Sequence, residues 1–113
     1  MEIRGHQYPA VQGVATITNS SDEVIPGIVG KTLYLNYIII SIPDDGYAFA
    51  QLTDSDGGTV FWKIERRYAG AQPTSFMLNY GDYGSALTEG NGLWGSTSSA
   101  NLKIIVTALG YYK

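Results

Sequence analysis

The stretch "LYLNYIIISI", residues 33–42, decides how this chain is read. Its β-branched and aromatic residues crowd a helix but pack well on a pleated strand. As a strand it places Leu33, Leu35, Tyr37 and Ile39 on one face and Tyr34, Ile38, Ile40 and Ile42 on the other. Both faces are apolar, whereas a strand of a two-layer antiparallel protein ordinarily keeps one face wet. Near the other end, Ile105, Leu109 and Tyr111 stand opposite Ile104 and Val106 in the same way. Long connections or the N-terminal stretch can cover such a second face, and so can a neighbouring subunit. Large exposed apolar patches are rare on soluble monomers, which favours the subunit.

Working outward, turn signals recur at Pro26-Gly27, Asp45-Gly46, Asp56-Gly57-Gly58, Gly81 to Gly84 and Asn91-Gly92. Between them lie "VATIT", "YAFAQLT", "TVFWKIERRY", "SFMLNY" and "NLKIIVTAL". Short strands at this spacing predict an all-β, antiparallel sandwich or barrel. Two segments also carry helical spacing: Val60, Ile64 and Tyr68 fall four apart, and Ser98 or Ser99 stands where a cap would precede "ANLKIIVTAL". Leu102, Ile104, Val106 and Ala108 nevertheless alternate, and strands are expected for both.

The 113 residues fit one domain, read as an arm over residues 1–10 and a β-sandwich over 11–113. Nine of the aromatic residues are Tyr, a side chain suited to half-buried sheets and wet interfaces. The chain has no Cys, so neither a disulfide nor a zinc–thiolate site is expected. A net charge of −3, with Glu65 interrupting Lys63, Arg66 and Arg67, argues against nucleic-acid binding. No apolar run is long enough for a membrane helix, and "MEIRGHQYPA" lacks the apolar core of a signal peptide.

Motifs for chemistry are weak. Gly90-x-Gly92-x-x-Gly95 has dinucleotide-loop spacing, but it leads into a strand where that loop must open a helix. Tight turns around Leu93-Trp94 explain these glycines, and the Trp94 indole is expected to pack at the sandwich end, at a subunit boundary. "TDSDGGT", residues 53–59, has part of a calcium loop but lacks its distal Glu, and reads as a hairpin turn. Asp44-Asp45-Gly46 reads the same way. His6 is the sole histidine, and no Ser or Thr sits in a nucleophile elbow, so no enzyme, cofactor or metal is expected.

"GKTLYLNYIIISI" and "GDYGSALTEGNGLWGSTSSANLKIIVTALGYY" together resemble the small jelly-roll structural proteins of tailed bacteriophages. The carrying residues are Leu87-Thr88-Glu89-Gly90, Gly92-Leu93-Trp94, Ser96 to Ser99 and Leu102 to Tyr111. The pattern is also similar to that of tumour necrosis factor-like trimers. The resemblance implies a structural virion protein, made in the host cytoplasm and carried on the phage surface. It would decorate or cement a capsid by bridging subunits of the major capsid protein or another virion protein. A homotrimer is implied, with candidate interface residues Tyr8, Tyr34, Ile38, Ile40, Trp94, Ile105, Leu109 and Tyr111. The alternative is a tail-fibre or baseplate module that recognises host-surface carbohydrate, using Trp94, Tyr80 and Tyr83 with Asp82, Asn79 and Asn91.

Overall fold

Strands account for every regular element among the described residues of the computed structural model: β1 (Ala10–Thr18), β2 (Ser21–Ile25), β3 (Leu33–Ile42), β4 (Gly46–Asp54), β5 (Thr59–Tyr68), β6 (Thr74–Asn79), β7 (Ser85–Ala86), β8 (Leu93–Thr97) and β9 (Lys103–Tyr112). The structure describes residues 8–18, 20–42, 46–68, 74–97 and 103–113, and at 46–49, 65–68 and 74 it describes the backbone. Both segments with helical spacing are strands, β5 and β9. Asp44, Asp45, Ser98, Ser99, Leu102 and the first seven residues, His6 included, lie outside the described residues.

The strands form two antiparallel sheets, β1-β9-β3-β6 with β7 beside β3, and β2-β8-β4-β5. Apart from the short β7, only β4 and β5 are paired sequence neighbours; the chain otherwise crosses between sheets. That order is a jelly roll, the fold expected from the sequence. The β4–β5 hairpin turns through Ser55 and Gly57, both at positive φ (75° and 69°), as the Asp-Gly signal requires. Between the sheets lie Ile17, Ile25, Leu33, Leu35, Ile38, Ile40, Ile42, Leu52, Leu93, Ile104 and Val106, all fully buried. Each such side chain contributes about 1.5–3 kcal/mol relative to exposure.

Strict alternation along β3 does not hold. Leu35 pairs with Gly110 and Tyr37 with Leu109, so Asn36 is an extra residue in the ladder. Its side-chain amide donates to the carbonyls of Gly81 (2.7 Å) and Asp82 (3.1 Å), and its own carbonyl accepts from Tyr80 N–H (2.8 Å). One inserted residue exchanges the faces of everything that follows. Leu33 and Leu35 point inward before it; Ile38, Ile40 and Ile42 point inward after it. Ile38 and Ile40, expected at a subunit interface, are therefore core residues with no exposed surface.

Two of the three glycines in the 90–95 stretch show why the chain needs them. Gly90 has φ +85°, and its N–H donates to the Lys31 carbonyl at 2.8 Å. A Cβ on Gly95 would lie 2.7 Å from Ile17 Cδ1, inside the core. Turn geometry and packing thus explain the spacing, and β8 follows where a phosphate loop would open a helix.

Candidate functional site

Charge is divided between the two sheets. The strands of β1-β9-β3-β6 carry one charged residue, Lys103, at the end of β9. The strands of the other sheet carry Asp22, Glu23, Asp54, Lys63, Glu65, Arg66 and Arg67. Register then defines the outer face of the sheet with the single charge. One row across it runs Gln12, Leu109, Tyr37, Asn79; the next Val14, Thr107, Ile39, Met77; the third Thr16, Ile105, Ser41, Ser75. Val14 and Met77 are 60% and 62% exposed, and Tyr37 and Ile39 are 37% exposed. These three rows, the uncharged part of the face, have the composition of an interface core, where charged residues are depleted; Lys103 stands on the same face one row further, at its edge beside Thr18.

At one end of this face the phenol rings of Tyr8, Tyr111 and Tyr34 stack. Tyr111 lies between the other two, with centroids 5.7 Å from Tyr8 and 5.1 Å from Tyr34 and planes within 8°. Each such contact contributes about 0.5–1.5 kcal/mol beyond area burial. The Tyr111 hydroxyl donates to the Tyr83 carbonyl, and burial, then the neighbouring Tyr34 and Tyr8 phenols, push its pKa up. Tyr8 is thereby held against β9 immediately before β1 begins. Beside the stack, a groove of about 320 Å³ is lined by Tyr8, Pro9, Asn36, Tyr37, Asp82, Leu109 and Tyr111. A second depression of about 250 Å³ continues from it over Tyr37, Ile39, Thr107 and Leu109.

The candidates from sequence therefore separate. Tyr8, Tyr34, Ile105, Leu109 and Tyr111 share the uncharged face, while Ile38 and Ile40 lie in the core. Trp94 is half-buried on the outside of the opposite sheet, between Glu23 and Thr53 in the register. The fold thus keeps Trp94 off the face that carries Tyr111. The residues considered for sugar binding divide as well: Asn79 ends β6, Asp82 and Tyr83 lie in the turn that follows it, Tyr80 lines a cleft with Leu35, Asp54 and Phe61, and Asn91 binds Asp54. Val14, Asn36 and Met77 were not singled out from sequence. Val14 and Met77 become neighbours of the face only through register.

Asp54, from the calcium-like stretch, is a structural joint. Its carboxylate accepts from the Thr88 N–H (2.9 Å) and hydroxyl (2.7 Å) and from the Asn91 amide (2.9 Å), tying the β4–β5 hairpin to the segment before β8. Partial burial alone would raise its pKa. The bonds from the Thr88 hydroxyl, Asn91 and the Thr88 backbone outweigh it and hold the group below its ordinary 3.8. A depressed folded-state pKa means stability that is present above the unfolded value and lost as pH falls through the folded one. The Asp54→Asn variant should melt below the wild type at pH 7, and the gap should narrow in acid below 3.8, read as melting temperature against pH.

No family model matches this chain, and no curated protein matches it. Solved structures do. The PRD1 vertex protein P5 aligns with TM-score 0.54 and 8% identity, over 90% of this chain and 95% of that one. A structure of PirA aligns with TM-score 0.49 and 13% identity, over 92% and 93%. A chain of the Bacillus endospore appendages, which are disulfide-linked pili, aligns with TM-score 0.46 and 14% identity, over 95% and 91%. At 8% identity the likeness to the PRD1 vertex protein shows the fold alone.

Proposed function

We propose that this protein is a structural component of a virus particle, without enzymatic activity, that works by assembling through the outer face of β1-β9-β3-β6. The observation that carries the reading is the absence of charge from three successive rows of that face, with Lys103 only at its edge, against the charged strands of the opposite sheet. The similarity to a PRD1 vertex protein agrees with it at the level of fold. In its finer form the protein is a homotrimer that decorates a tailed-phage head and cements it by bridging neighbouring capsid subunits. Bound to the assembled shell alone, it stabilises the shell by mass action, and three linked copies multiply modest contacts. Residues 1–10 serve as an attachment arm, with Tyr8 held in the stack.

Two experiments test this. Ile105 lies in the third row of the face and is half-buried. Ile105→Lys should leave the melting temperature of the subunit nearly unchanged while dissociating the oligomer, because a partner would bury an unpaired charge. A variant of wild-type mass would count against the face. Decoration itself is tested by adding the purified protein to empty heads and imaging them by electron microscopy. Ordered density on the shell is expected. Bare heads, with binding instead to host cells or glycans, would favour the carbohydrate-recognition alternative.

A further inference from the structure

The β2–β3 connection carries an exposed aliphatic pair. Val29 is 95% exposed and Ile28 is 42% exposed, side by side in one turn. Single apolar residues on a surface are ordinary, but these two are presented by a loop that is pinned at its base. Lys31 N–H donates to the Ile28 carbonyl at 3.0 Å, and Gly30 takes φ +81° to close the turn. Thr32 and Lys113 exchange two backbone hydrogen bonds of 2.9 Å, and Gly90 N–H holds the Lys31 carbonyl. The result is a fixed knob of two aliphatic side chains with an exposed lysine beside it. A knob ordered in advance loses little freedom on docking.

We infer that this knob inserts into the groove beside the tyrosine stack of a second copy of the chain. The groove has matching features: Tyr37 and Leu109 supply an apolar floor, and Asp82 supplies an exposed carboxylate at the rim. Neither Lys31 nor Asp82 has an ion-pair partner among the described residues, so seating Ile28 and Val29 pairs the two charges. Knob and groove are different patches, so in the trimer proposed above the contact is heterologous: every copy gives one knob and receives one, and three such contacts close the ring. This deepens the assembly proposed above and rests on it, since the groove opens onto the same uncharged face. It adds which segment of the neighbour is bound and fixes the polarity of the ring.

Sedimentation of four variants tests the inference. Val29→Asp, at a position already in water, should leave the fold intact and weaken self-association at least about thirtyfold, the effect of losing an interface anchor. Lys31→Asp and Asp82→Lys should each weaken it by up to about fivefold, as exposed charges do, and the double exchange should restore it. If all four assemble like the wild type while Ile105→Lys dissociates, the knob is not the contact and the face still is. If the knob variants keep their oligomer but no longer bind heads, the knob meets the capsid and the inference is overturned. A wild type that is monomeric throughout would remove both the knob and the face.

Discussion

Ile40→Asp should abolish folding. The side chain of Ile40 has no exposed surface and lies on β3 at the centre of the sandwich, opposite Val106 on β9 and Phe76 on β6. Truncation to Ala alone is expected to cost roughly 2–5 kcal/mol in lost transfer energy and a residual cavity. A carboxyl group there has no donor among its apolar neighbours, so it must either stay charged in the core or take up a proton, each at further cost. Domains of this size are stable by about 5–15 kcal/mol in all, and a substitution of this kind removes most of that. Circular dichroism should show no cooperative melt for Ile40→Asp and a reduced melting temperature for Ile40→Ala.

Ile39→Asp, one residue earlier, should do the opposite. Ile39 is 37% exposed and sits between Thr107 and Met77 on the uncharged face. In an isolated subunit its carboxylate would remain hydrated, so the fold should melt close to the wild type. In an assembled one it would be buried against an apolar partner without a counter-charge, and self-association should fall by about thirtyfold or more. The pair separates two readings of one strand. Unbroken alternation puts Tyr37 and Ile39 on the same face as the buried Leu33 and Leu35, and would make Ile39 the damaging site.

That contrast also marks what the sequence could show. The sandwich was legible because alternating apolar residues, Asp-Gly turns and β-branched runs report local chemistry. The hairpin at residues 53–59 and the strands at 59–68 and 103–112 follow from the same signals. The exchange of faces at Asn36 was not legible. It depends on bonds from that side chain to residues 81 and 82, and nothing near "LYLNYIIISI" announces them.

The candidate site divides on similar lines. Tyr34 and Tyr111 were recognisable as outer residues, and the topology places β3 and β9 side by side so that their rings stack. Trp94 lies away from Tyr111 for a packing reason: Gly95 faces Ile17 in the core, which turns the preceding indole outward on the other sheet. The near absence of charge from one sheet, where Lys103 is the one charged strand residue, is written in the strand sequences. It becomes a surface only when topology shows which strands lie together. Val29 was hidden inside a turn signal, since a loop sequence alone does not reveal which of its side chains is presented to water.

The mass of the wild-type protein in dilute solution tests the central claim most directly. Sedimentation equilibrium from nanomolar to micromolar concentration should detect a discrete closed oligomer of three chains, dissociating only at the dilute end. A single 12.2 kDa species at every concentration would contradict it, because the broad uncharged face would then stand open to water.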